Sequence, residues 1–138
     1  MTQAHEVEGT VAVAHEGGDR FTVAVRGHTL TTDQPVEDGG TDVGPSPTEL
    51  FIAGLAACVG FYARRYLARH GLPEAGLEVR AGYSLTSGPT RVGEIRLGIT
   101  LPAGIPEERR PALLAVASGC TVHNSLHQTP AVTIELVD

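Results

Sequence analysis

Two cysteines are the residues best suited to chemistry in this 138-residue chain, and they stand at Cys58 and Cys120. A thiolate is a nucleophile, and two thiols that can meet support reversible disulfide chemistry. An unperturbed thiol, with a pKa of ~8.5, is only a few per cent ionised at pH 7, so a reactive cysteine needs a cation beside it. A free cysteine with no such partner is more often a small core residue. In a reducing compartment a permanent disulfide is not expected, which leaves the pair either inert or redox-active.

Cys120, His123 and His127 form a Cys-x2-His-x3-His pattern. These are zinc-ligand types, but a structural tetrahedral site needs four ligands and no Cys-x2-Cys partner stands nearby. The histidines are expected to make polar contacts near the second thiol, and no metal or cofactor is called for.

The element that must carry Cys58 is a helix. Ser46 suits an N-cap, Pro47 the first helical position, and Glu49 completes a capping box with Ser46. From Leu50 to Tyr62 no residue is charged. Ala53, Gly54, Ala56, Ala57 and Gly60 leave little bulk around Cys58, so another element can approach closely. Arg64, Arg65, Arg69 and His70 complement the dipole of the last turns, and Gly71 with Pro73 ends the helix. It is predicted over 47–70, buried on every side. Tyr62, one turn beyond Cys58, could line a substrate pocket with Phe51 and Phe61 or fill the core, and core filling is the expectation.

Alternation sets out the strands. Residues 6–14 place Val7, Val11 and Val13 on one face, Gly17-Gly18-Asp19 turns, and 20–26 places Phe21, Val23 and Val25 together. A short strand at 28–33 and a loop at 34–44 precede the helix. Strands at 77–85 and 91–101 follow, then a helix from Pro106 to about Ser118, a polar segment at 121–128 and a last strand at 130–137. The order is β-β-β-α-β-β-α-β, an α+β domain over 1–138. One sheet and one other helix cannot cover a helix that is apolar all round, so a second copy is expected across a two-fold axis.

Composition narrows the class. With 41 % hydrophobic and 19 % charged residues the chain is globular, and the formal net charge of -6 argues against nucleic acid or an anionic membrane as the main partner. The N-terminus shows no signal peptide, and the uncharged run 50–62 is too short to span a bilayer. The expected location is the cytoplasm.

The stretches Gly44-Pro-Ser-Pro-Thr-Glu-Leu-Phe-Ile-Ala-Gly-Leu-Ala-Ala-Cys58 and Ala117-Ser-Gly-Cys-Thr-Val-His-Asn-Ser-Leu126 resemble the OsmC/Ohr family of osmotically induced and organic-hydroperoxide-resistance proteins. The likeness is nearer the OsmC-like branch, where Val-His-Asn follows the second cysteine. The resemblance implies the OsmC-like fold and an intertwined homodimer with two central helices packed together. It implies thiol peroxidase activity on organic hydroperoxides, with Cys58 the attacking residue and Cys120 the resolving one. An external dithiol, of which lipoyl groups are one kind, would reduce the disulfide. It also implies an arginine from the N-terminal strands, best matched by Arg20 with Arg26 as the other candidate, and a glutamate ten positions before the first cysteine. This chain has Thr48 there and Glu49 one place on. Glu49 lies about 180° around the helix from Cys58, so capping is its first expected role. His123 is a candidate supporting residue.

Two other readings stand beside the peroxidase. One is a non-enzymatic binder of small or lipid-like molecules that keeps the fold and the thiols, a reading favoured by Thr48. The other is a structural dimer in which Cys58 merely packs.

Overall fold

The computed structural model describes residues 8–138, which divide into two compact units, the first ending at Leu50 and the second spanning Phe51–Asp138. The expected alternation at Val7 lies outside the described residues.

The N-terminal unit is a three-stranded antiparallel sheet, β1 (Ala12–Gly17), β2 (Arg20–Val25) and β3 (His28–Thr32), in that spatial order. Val13 pairs with Val23, and Val23 with Leu30, which gives one apolar row across the strands. That row is open at its ends, because Val13 is 58 % and Leu30 40 % exposed. Between β2 and β3 the two turn residues, Arg26 and Gly27, have φ of 48° and 81°. Two left-handed residues make the tight turn whose twist matches a hairpin. Arg26 therefore sits at a hairpin tip.

The loop after β3 is tied together by Asp33, which is 1 % exposed. Its carboxylate accepts from the Thr41 hydroxyl at 2.7 Å and from the backbone N–H groups of Gln34, Thr41 and Val43. The Thr41 hydroxyl is the largest cause that holds the carboxyl down to about 2; burial opposes it, and the three N–H donors add to the lowering. The loop passes so close to β3 that a Cβ at Gly44 would overlap the Thr31 carbonyl, and one at Gly40 the Gln34 carbonyl. Only glycine fits at these two positions.

Helix α1 (Pro47–Arg69) begins in the first unit and continues into the second. The capping box forms as predicted: Ser46 Oγ accepts from the Glu49 N–H at 3.2 Å, and Glu49 Oε1 accepts from the Ser46 N–H at 2.8 Å. At the other end Gly71 takes a φ of 62° and the Leu72 N–H reaches back to the Leu67 carbonyl at 2.9 Å. This six-to-one bond is the Schellman closure. With 23 residues, α1 has the length and composition to cross a membrane. Its two adjacent arginines and its buried stripe mark it instead as a core helix.

The helix is not buried on every side within the chain. Ile52, Leu55, Val59, Ala63, Tyr66 and Leu67 form one buried stripe, while Ala53, Gly54, Ala57 and Phe61 are exposed. Among the described residues, cover reaches one face only, from one antiparallel strand pair and two short helices.

The C-terminal unit adds the antiparallel pair β4 (Glu78–Thr86) and β5 (Arg91–Thr100). Val79 pairs with Ile99 and Ala81 with Leu97, so the apolar members share one face, and Val79, Leu97 and Ile99 pack on the α1 stripe. The register shifts at Ser84/Leu85, opposite Gly93, where a Cβ would come within 2.9 Å of the Thr86 side chain. After a 3-10 turn at Glu107–Arg109 comes α2 (Arg110–Ser118), which buries Leu113 and Ala117 but leaves Leu114 and Val116 exposed. The core is thus Leu55, Val59, Ala63, Tyr66, Leu67, Ile105, Leu113, Ala117 and Cys120, with each fully buried leucine contributing roughly 1.5–3 kcal/mol.

The α+β class stands, with two corrections to the element order. The segment expected to be merely polar folds as a third helix, α3 (Thr121–His127). The strand expected at 130–137 does not form: these residues pair with no strand among the described residues, and Val132, Ile134 and Leu136 are 76 %, 92 % and 102 % exposed. Its alternation is real, but a strand needs a neighbour to satisfy its backbone, and the described residues offer none.

Candidate active site

The helix stripe and α3 bring the two cysteines together. Cys58, half-buried, packs against the core cluster to which Cys120 belongs. Cys120 is fully buried and stands at the N-cap of α3, where its sulphur accepts from the His123 backbone N–H at 3.4 Å. Both are free thiols. Burial pushes the Cys120 thiol up from its ordinary value; the His123 N–H opposes that, and Cys58 adds to the rise as a hydrogen-bond partner and as a nearby charge. Cys120 is therefore less ionised at neutral pH than a free thiol. It must give up its proton to attack, because the thiolate is the nucleophile in disulfide formation.

Three contacts fix α3 and hence Cys120. The Tyr62 hydroxyl lies 3.1 Å from Thr121 Oγ1, tying the residue after Cys120 to the turn of α1 after Cys58. Asn124 Nδ2 donates to the Gly119 carbonyl at 3.1 Å. His123 Nδ1 donates to the Ser118 carbonyl. Tyr62 was expected to be core filling; it is half-buried and hydrogen-bonded. Little in the local pattern announces these contacts, because cysteine is not among the strong N-cap residues and α3 has no apolar stripe.

His123 also borders open space. With Leu55, Phe51, Ile95, Leu126 and His127 it lines a cavity of about 500 Å³, and it borders a second of about 230 Å³ next to Ala117 and Ser118. The larger cavity is mostly apolar, with Arg91 and Glu94 at its wall, and falls in the size range of small-molecule sites. Neither sulphur lines it. Leu55, one turn before Cys58, and His123, whose backbone N–H is capped by Cys120, are its links to the thiols.

The other predicted residues lie in the N-terminal unit. Arg20 opens β2, is half-buried, makes no ion pair among the described residues, and has its guanidinium close to Gly17. Arg26 occupies the hairpin tip. Glu49 is committed to the Ser46 cap, and Thr48 is half-buried in the first turn of α1. No group of three or more His, Cys, Asp or Glu among the described residues is arranged for a metal.

The sequence matches the family described as OsmC-like protein over residues 39–135. No curated protein matches it. Among solved structures, one from Psychrobacter arcticus named for an osmotic stress induced and detoxification response superposes with a TM-score of 0.81 at 22 % identity, covering 89 % of this chain and 91 % of that one. An OsmC-like protein from Mycoplasma pneumoniae gives 0.78 at 19 %, with 91 % of each chain covered. The organic hydroperoxide resistance protein OhrB of Bacillus subtilis gives 0.62 at 21 %, with 87 % and 92 % covered. At these identities the likeness is one of fold, shared by stress-response and hydroperoxide-resistance proteins alike. With a match that takes in both cysteines and all of α1, the chain belongs to the OsmC-like protein family.

Proposed function

We propose that the protein is a thiol peroxidase that reduces organic hydroperoxides to alcohols. The observation that carries this reading is the packing of a half-buried Cys58 against the core cluster that holds the fully buried Cys120. The Cys58 thiolate attacks the distal peroxide oxygen, the O–O bond breaks, and an alkoxide leaves and takes up a proton as the alcohol. Cys58 is then a sulfenic acid. Cys120 attacks its sulphur, hydroxide leaves and combines with the Cys120 proton as water, and a Cys58–Cys120 disulfide forms. Two-step exchange with an external dithiol restores both thiols.

Arg20 is the cation assigned to the thiolate in this reading, and the apolar walls beside Leu55 favour alkyl hydroperoxides over hydrogen peroxide. The working form is a homodimer in the cytoplasm. Support for the dimer comes from the exposed Ala53, Gly54, Ala57 and Phe61 face of α1, and from the exposed alternation at Val132, Ile134 and Leu136. The first covers a close approach of two helices, and the second matches a strand waiting for a sheet edge.

Turnover is the test. Cumene hydroperoxide should be consumed catalytically with dihydrolipoamide, and Arg20→Ala should lower kcat/KM by about 10²-fold or more, the scale for losing a group that stabilises developing charge. Consumption no faster than by free dithiol would contradict the reading. One observation favours the ligand-binding alternative: the larger cavity is lined by neither thiol. A ligand retained there through native mass spectrometry, together with no turnover, would establish that alternative.

A further inference from the structure

The imidazole rings of His123 and His127 take no part in the thiol chemistry above. They stand one turn apart on α3, with ring centroids 4.6 Å apart and Nε2 atoms 3.0 Å apart. Because His123 Nδ1 faces the Ser118 carbonyl oxygen, an acceptor only, that nitrogen carries the proton. His123 Nε2 then presents a lone pair, and His127 Nε2 donates to it.

The same arrangement is a metal clip one tautomer away. If the His127 proton moves to Nδ1 and the exposed ring turns slightly, two imidazole lone pairs converge. His127 has no other hydrogen-bond partner among the described residues, so nothing in the chain opposes that move. At metal–nitrogen distances of about 2.0–2.1 Å, nitrogens 3.0 Å apart subtend roughly 91–97° at the metal. That is the angle of neighbouring positions in square-planar or octahedral coordination, and it is narrower than a tetrahedral angle. The Ser118 carbonyl supplies the second contact that metal-binding histidines commonly use to fix ring and tautomer.

Both rings line the cavity of about 500 Å³, so an ion held by them would be reachable from solvent and would keep positions for water. Glu94 lines the same cavity, but its carboxylate is paired with Arg96 Nε at 2.6 Å. We propose that His123 and His127 form an open, two-histidine site for a late first-row divalent ion, Ni(II) or Cu(II). The site is independent of the peroxidase reading and does not use the thiols.

The test uses the full, untagged chain carrying Cys58→Ser and Cys120→Ser, which removes thiolate ligation and copper-driven oxidation. Titration with Ni(II) by calorimetry should show a site that loses at least about tenfold in affinity in His127→Ala, since even losing an outer partner of a ligand costs about 10–100-fold. His70→Ala, at another exposed histidine, should leave it unchanged. With Cu(II), electron paramagnetic resonance should show coupling to two imidazole nitrogens, reduced in His127→Gln. Ni(II) affinity equal in the parent and His127→Ala, or no binding at millimolar Ni(II), would overturn the proposal.

Discussion

The His123 backbone N–H points at the Cys120 sulphur from 3.4 Å, so the second thiol caps the short helix that follows it. This one contact places a buried sulphur at a helix N-terminus and beside Cys58. It also sets two opposed pressures on Cys120: burial holds the proton on, and the N–H eases the thiolate as it forms.

Disulfide formation should therefore be controlled by pH through Cys120. A thiol whose pKa is raised is less ionised at neutrality than a free one, so the resolving step speeds up as pH rises. In single-turnover stopped flow with preformed Cys58 sulfenic acid, the rate should climb through pH 7–9 without levelling below the ordinary thiol value of ~8.5. A plateau near pH 6–7 would show that Cys120 ionises early.

Tyr62→Phe removes the hydroxyl that meets Thr121. Losing one such bond costs about 1 kcal/mol, and if that loss falls on the placement of Cys120 the resolving step slows by about fivefold. The attack of Cys58 on peroxide should be unaffected. Equal slowing of both steps would mean that Tyr62 acts on Cys58 as well.

Asp33 gives the N-terminal unit an acid limit. Its folded pKa, held down to about 2, lies below the usual carboxylate value, so its contribution is full above about pH 4 and is lost as pH falls through about 2. Hydrogen exchange at the amides of Thr41 and Val43 should accelerate over that window. Asp33→Asn should exchange quickly there already at neutral pH, with a flat acid response. A wild-type loop that stays protected at pH 2 would contradict the assignment.

Gly54 tests the uncovered face of α1. Among the described residues nothing outside the helix's own backbone lies within 4 Å of a Cβ placed there. If a second copy covers that face, Gly54→Leu should convert dimer to monomer in light scattering, with helicity retained. If the face is simply wet, Gly54→Ala should raise stability by roughly 0.5–1 kcal/mol, and the wild type should be monomeric.

Local signals in the sequence were strong where one short stretch determines the outcome. Ser46, Pro47 and Glu49 announced the start of α1, Gly71 announced its end, and alternation located β2 to β5 within a residue or two. The thiol pair was legible because both motifs frame cysteines. What was not legible depends on partners distant in the chain. The strand expected at 130–137 has the right pattern, but the pattern cannot say whether a neighbour exists. The Cys120 cap and the Tyr62–Thr121 bond arise from packing α3 against α1, and neither leaves a periodic trace. Asp33 looked like an ordinary loop residue, because its four donors are assembled only when the loop folds back.

The most direct test of the central claim is intact-mass measurement of the reduced protein after one equivalent of cumene hydroperoxide, beside Cys58→Ser and Cys120→Ser. The account predicts loss of two hydrogens in the wild type, a gain of one oxygen in Cys120→Ser that is captured by dimedone, and no change in Cys58→Ser. A wild-type protein still fully reduced after minutes, or oxidation that persists in Cys58→Ser, would contradict it.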